Sequence, residues 1–281
     1  MFLDIIGTSP SPSEMEVWDS DYGRSVRELF MYSPGGRRCR RVTRYRLAEN
    51  WLAYPQETSD PRRGRNDPAQ RESPEPPAFL TFWEFDDWAD FTYWEKNREE
   101  GQWNRISSAS RHLRCLWRAQ YLRLSPVIER GPRGAPEGFN FINLAGTFVE
   151  NPNDPAQLEA WQRVYSDFMT HSVFARHSMI KRMSRFMLAP GSVDGLSERG
   201  AEYIPPFLTT YEFDTWDDFL TYHDLLHNTP EGADVKAGRK AWAEGLAGVK
   251  APPAGNFLYR VQYRAIETLA RDGELGVWPV T

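Results

Sequence analysis

Cysteine is scarce: Cys39 and Cys115 are the only two in 281 residues. That excludes a disulfide framework, and no CxxC pair exists to hold a metal or run thiol redox chemistry. Two reduced thiols are the favoured reading, with a single disulfide left open. Histidine is nearly as rare, with five: His112, His171, His177, His223 and His227. No GxGxxG opens a helix after a strand, and there is neither a phosphate loop nor a GxSxG elbow, which argues against nucleotide cofactors and serine-nucleophile hydrolysis. No apolar run approaches the roughly 18 residues a membrane helix needs. The formal charge is −5 and no Lys/Arg block lies on a helix face, so nucleic acid has no electrostatic footprint here. The opening MFLDIIGTSP lacks a basic start and carries Asp4 in a short apolar run. It reads as a strand rather than a signal peptide, and the expected location is cytoplasmic.

Aromatic residues, by contrast, are plentiful at 14%, including 11 Trp. That is enough to build a core and to line a cavity. The strongest pattern is a repeat. Phe79–Phe91 (FLTFWEFDDWADF) recurs as Phe207–Phe219 (FLTTYEFDTWDDF), with nine of thirteen positions identical. Each copy reads as a buried strand entering an Asp-capped amphipathic helix, starting at Asp86 or Asp214. Other segments align in the same order: Phe2–Thr8 with Phe141–Thr147, Arg41–Ala48 with Arg182–Ala189, and Leu116–Tyr121 with Leu258–Tyr263. Trp18 and Tyr22 on the first helix match Trp161 and Tyr165, the latter helix capped by Asp154 with Pro155 at its first position.

The chain is therefore expected to be α+β, two tandem ferredoxin-like (βαββαβ) repeats packed sheet to sheet. The expected divisions are residues 1–126, a linker over 127–138, and residues 139–281. Arg37–Arg46 reads as an edge strand, and both cysteines as strand residues. A WxxxY helix, an Arg-Tyr or Arg-Phe strand and a YEF-type strand resemble the dimeric α+β barrel superfamily, its EthD-like members in particular. The resemblance implies a pseudo-dimeric barrel from one chain, as a monomer or a homodimer of it. It also implies a small-molecule enzyme, since that superfamily holds cofactor-free monooxygenases, lyases, isomerases and haem enzymes. Haem, which needs one axial His, stays open as an alternative; the expectation is no cofactor and no metal.

Residues that recur in both halves read as scaffold. Arg44/Arg185 and Glu84/Glu212 sit on neighbouring strands and are expected to pair as Arg44–Glu84 and Arg185–Glu212. Arg118 with Gln120, and Arg260 with Gln262, share one face of the fourth strand by alternation. Residues that differ between the halves are better candidates for chemistry. They include Glu28 against His171 and Glu95 against His223. Four histidines lie in the second half, so its pocket is the expected survivor. His171, Tyr165 and His177 are the candidate catalytic groups, a His suiting proton transfer near neutral pH. Arg185, Gln262, Tyr211, Trp161, Phe186 and Arg260 are the candidate substrate contacts. His223 and His227, four apart on a helix, could hold a metal, but no HExxH glutamate accompanies them and a solvated helix end is the simpler account. The expected activity is lyase- or isomerase-type acid/base chemistry on a hydrophobic, aromatic small molecule. A non-catalytic binding protein for the same ligand is the rival.

Overall fold

A computed structural model describes residues 1–49, 76–97, 114–129, 141–147, 154–168, 177–193, 204–234, 237 and 257–270. The first half contributes β1 (Phe2–Ser9), α1 (Met15–Tyr32), β2 (Arg41–Leu47), β3 (Phe79–Phe85), α2 (Trp88–Asn97) and β4 (Arg114–Glu129). The second contributes β5 (Phe141–Thr147), α3 (Pro155–Phe168), β6 (Arg182–Val193), β7 (Phe207–Phe213), α4 (Trp216–Asn228) and β8 (Phe257–Ala270). The strands close into one barrel in the order β1-β3-β2-β8-β5-β7-β6-β4. Each half thus supplies a four-stranded sheet of the same order, β4-β1-β3-β2 and β8-β5-β7-β6, the ferredoxin-like arrangement. The sheets are also joined along both edges, β2 to β8 and β4 to β6. The α+β barrel expected from sequence is the architecture observed.

Closure corrects two expectations. β2 is no edge strand: it is paired to β3 on one side and β8 on the other. Cys39 lies outside β2, buried after a short 3-10 turn, where its thiol donates to the Arg41 and Glu84 carbonyls. The expected linker is also shortened, because β4 runs on to Glu129 and pairs Ile128 with Met183. Residues 130–138 lie outside the described residues.

Strand alternation sorts the side chains into a lumen and two outer layers. Leu3, Ile5, Leu80, Phe82, Ala119, Tyr121, Ile142, Leu144, Leu208, Val261 and Tyr263 fill the lumen. Outside the first sheet, α1 and α2 cover Phe2, Ile6, Phe79, Trp83 and Phe85 with Trp18, Tyr22, Phe91 and Trp94. Outside the second, α3 and α4 cover Met183, Phe207, Tyr211 and Phe213 with Trp161, Phe219 and Tyr222. Both faces of each strand are therefore buried, which is why β1 and β3 read as nearly unbroken apolar runs. Two lumen tyrosines cross between halves: Tyr121 donates to the Pro205 carbonyl at 3.1 Å and Tyr263 to the Pro77 carbonyl at 3.0 Å.

The helices following β3 and β7 start at Trp88 and Trp216, two residues later than the Asp86 and Asp214 expectation, and the capping residues are the next ones along, Asp87 and Thr215. Thr215 caps α4: its hydroxyl accepts from the Asp218 amide at 3.1 Å while the Asp218 carboxylate accepts from the Thr215 amide at 3.2 Å. In the first half Asp87 accepts from the Asp90 amide at 2.9 Å. Asp154 does cap α3 as expected, accepting from the Ala156 amide at 3.0 Å. Thr215→Ala should lower unfolding free energy by about 1 kcal/mol, read from urea denaturation, because the Asp218 amide loses its acceptor and the Asp218 carboxylate loses the hydroxyl that donates to it. A change within error would mean that the capping box does not stabilise α4.

Candidate functional site

The two Arg–Glu pairs form differently from the sequence expectation. Arg41, not Arg44, stands opposite Glu84 in the β2–β3 register, and its Nε donates to Oε1 at 2.7 Å. Likewise Arg182, not Arg185, stands opposite Glu212, at 3.6 Å. Glu84 and Glu212 follow lumen residues Leu80, Phe82 and Leu208 at even spacing, so their carboxylates point inward. Arg44 and Arg185 point to the helices. The four lumen charges act on one another across the barrel. Burial alone would weaken the Arg41 charge, but Glu84 foremost and then Glu212 raise its pKa further above the normal arginine value. This cluster neutralises itself and ties the halves together.

The helix-side layers differ from each other in a way that matters for chemistry. In the first half, Arg118 on β4 is buried against Asp4 on β1, with Nη2 to Oδ2 at 2.8 Å. The same Nη2 reaches Glu95 on α2 at 2.7 Å, and the guanidinium lies 5.7 Å from the Trp94 ring centre. Gln120 donates to the other Asp4 oxygen at 2.8 Å. Burial pulls the Arg118 pKa down, but Asp4 first and then Glu95 more than offset it, so the charge is locked on. Trp83 and Trp94, 5.2 Å apart, fill the rest. This layer is closed by its own ion pairs and large rings.

The second layer has the same frame with different contents. Asn143 takes the β5 position that Asp4 has in β1, and Gln262 donates to it at 2.9 Å. Asn143 is opposite Tyr211 in the β5–β7 register. Tyr211 stacks on Tyr222 of α4 at 6.1 Å, where the first half has two tryptophans. His177, 1% exposed, meets the Tyr222 ring edge-on at 5.5 Å. Trp161 belongs to the same cluster. Arg185 is buried with its guanidinium 5.9 Å from the Phe207 ring centre, and its Nη1 donates to the Gln162 carbonyl of α3 at 2.9 Å. Smaller rings, a neutral amide pair and a histidine replace tryptophans and charges.

The structure thus gathers His177, Tyr211, Trp161, Arg185 and Gln262 on the helix side of the second sheet. It separates Phe186 from them. As the neighbour of Arg185 on β6, Phe186 faces the opposite way and joins the lumen cluster, so it is not a wall of this site. Arg118 and Gln120, which alternation puts on one face of β4, face the helices. His171 and the side chains of Tyr165, Arg260 and His227 lie outside the described residues. His223 is on α4, partly buried, 6.0 Å from Phe219. Asn143 and Tyr222 were missed. Asn143 was findable, because FLDIIGT and FINLAGT differ there by a charge.

No family model matches the chain, and no curated protein matches it in sequence. Solved structures do match in shape. A structure described as an anthrone oxidase-like protein superposes with TM-score 0.55 at 11% identity, over 99% of this chain and 95% of that one. The fold is an α+β barrel. A candidate monooxygenase from Fusobacterium nucleatum gives TM-score 0.50 at 10% identity, over 99% of this chain and 97% of that one. At such identities the likeness establishes the fold alone, and the chemistry has to be argued from this chain's own side chains. No described helix is long and apolar enough to cross a membrane.

Proposed function

We propose that the helix-side layer of the second sheet is the site of a cofactor-independent enzyme doing acid/base chemistry on a hydrophobic, aromatic small molecule. The observation that supports it is the grouping of His177, Tyr222, Tyr211 and the Asn143–Gln262 pair where the first half is sealed by Asp4, Arg118 and two tryptophans. The tyrosine and tryptophan rings suit a planar ligand. His177 serves as the base, taking a proton from an acidic C–H or O–H of the substrate. Amide N–H groups and Arg185 favour the anion so formed. A lyase or isomerase step follows from such an anion, with Tyr165 and His171 as further proton carriers, and Arg260 as a substrate contact.

A second reading has the same anion react with dioxygen, as in a cofactor-free monooxygenase. The anthrone oxidase-like and candidate monooxygenase neighbours favour it. The chain itself is read as an EthD-like tandem duplication, residues 1–126 and 139–281, located in the cytoplasm and acting as a pseudo-dimer alone or as a homodimer. A non-catalytic binder is the alternative within the same site.

The test uses a panel of phenols, anthrones and aromatic acids. Quenching of tryptophan fluorescence detects binding, chromatography detects product, and an oxygen electrode separates the two reactions. His177→Ala should retain binding within a few-fold while turnover falls by about 10²–10⁴. Unchanged turnover would remove His177 as the base. Binding without any turnover by the wild type would establish the binder instead, and a Soret band in protein purified from its source would overturn the cofactor-free reading.

A further inference from the structure

Resting on that site, one row of side chains across each sheet indicates where its ligand sits. In the first sheet Thr81 of β3 stands between Ile6 of β1 and Arg44 of β2. In the second, Thr209 of β7 stands between Ala145 of β5 and Arg185 of β6. The two threonines are the third residues of the matching strands FLTFWEF and FLTTYEF. Each alternates with residues packed under the helices, Phe79 and Trp83 or Phe207 and Tyr211, so both rows face the helix side.

The rows differ at one place. Ile6 and Ala145 hold the same position in FLDIIGT and FINLAGT, and each is buried in its helix-side cluster. Exchanging isoleucine for alanine takes three carbons out of the layer directly beside the threonine. In the next row Tyr211 replaces Trp83. At the α4 end of the layer His177 and Ile180 stand where the first half has Gly36 and Cys39, and His177 packs on Tyr222. Bulk lost there is thus taken up. Beside Ala145 no such compensation occurs among the described residues: Trp161 of α3 only repeats Trp18, and it is 8% exposed against 1%.

Thr209 supplies the second observation. It is 1% exposed, and its hydroxyl has no hydrogen-bond partner among the described residues. Its neighbour Thr210, on the lumen side, donates to the Ser184 carbonyl at 3.5 Å. A buried hydroxyl without a partner is costly and therefore rare, and it marks a place where an oxygen from outside the chain completes the bond. Opposite it on β6, the buried Arg185 guanidinium, held by the Gln162 carbonyl, sets a positive charge beside the hydroxyl.

We propose that Ala145 and Thr209 form the ligand's seat: an aromatic ring lies over Ala145, and a hydroxyl borne by that ring bonds the Thr209 hydroxyl. Thr209 is then the residue that selects hydroxylated rings over bare ones and orients them. A threonine hydroxyl both donates and accepts, which matches a phenolic O–H, itself both donor and acceptor. The Arg185 charge favours that oxygen as negative charge grows on it in the acid/base step. His177 remains the base.

Isothermal titration calorimetry of the full-length protein compares 2-naphthol with 2-methylnaphthalene, in which a methyl group of similar size replaces the hydroxyl. Thr209→Val keeps the shape and removes the hydroxyl. It should weaken 2-naphthol binding by about 5- to 20-fold, the worth of one buried hydrogen bond, and leave 2-methylnaphthalene unchanged. Thr209→Ser, which keeps the hydroxyl, should hold the wild-type ratio. Ala145→Ile restores the first half's residue and should weaken both probes by about 10-fold or more, because the seat is filled. Circular dichroism melts confirm that each variant is folded; should Ala145→Ile fail to fold, Ala145→Val decides the matter. A probe ratio that Thr209→Val does not move would overturn the role of Thr209. Undiminished binding to the folded Ala145 variant would overturn the seat, and the aromatic site stands in either case. Wild-type protein that binds other members of the aromatic panel but not 2-naphthol would overturn the selection of a ring hydroxyl. Binding of no member at all would overturn the site itself.

Discussion

Arg118→Met should destabilise the protein by about 3–5 kcal/mol, a large part of the roughly 5–15 kcal/mol available to a folded domain. Asp4 has no exposed surface and receives three of its hydrogen bonds from the Arg118 guanidinium, leaving only the Gln120 amide when that group is gone. A buried carboxylate without its cation must either stay charged in a poor solvent or take up a proton. Glu95 is about a third exposed, so water compensates it and it adds little to the loss. Urea denaturation at neutral pH measures the effect. Asp4→Leu combined with Arg118→Met should recover most of it, because the cost lies in leaving one partner unpaired rather than in losing the pair. Singles that cost less than about 1 kcal/mol would show that this ion pair does not hold the first layer closed.

The fold was legible because it repeats. Four aligned segments and two helix starts gave the strand order within each half, and antiparallel closure follows once two such sheets must bury their inner faces. Finer details were not legible, for physical reasons. A strand shows from its alternation which residues share a face, but not which face is the lumen when both are apolar, as in FLTFWEF. That is why Glu84 was paired with Arg44 rather than Arg41, three residues away and on the other side of the sheet. The same ambiguity placed Phe186 beside Arg185. Of the candidate site, what sequence made legible is the side: His177, Tyr211, Trp161, Arg185 and Gln262 lie on the helix side of the second sheet. Asn143 went unremarked because a single Asp-to-Asn difference looks slight until Arg118 is seen lying against Asp4.

The lumen charges predict a stability plateau with two edges. Burial raises the Glu84 pKa, but Arg41 foremost and then Arg182 and Arg123 more than offset this, and the net value lies below the ordinary 4.5. A carboxyl whose folded pKa is the lower one stabilises the fold above its unfolded pKa and loses that contribution as pH falls through the folded value. Unfolding free energy should therefore hold to about pH 4.5 and decline below it, by up to about 1.4 kcal/mol per pH unit for each such proton. Tyr45 sets the other edge. Burial first, then Glu212 and Glu84 against the opposing Arg41 and Arg182, push its pKa above the ordinary 10.0. A group whose folded pKa is raised gives full stability below its unfolded value and loses it as pH rises past that value. Glu84→Gln should lower stability at neutral pH and flatten the acid limb. Tyr45→Phe, which keeps the ring packed 5.0 Å from Phe82, should leave the acid limb intact and flatten the alkaline one. Chemical denaturation of the three proteins between pH 3 and 11 separates these outcomes. Acid and alkaline limbs unchanged in both variants would mean that the charges ringing the lumen are not what couples the two halves of the barrel.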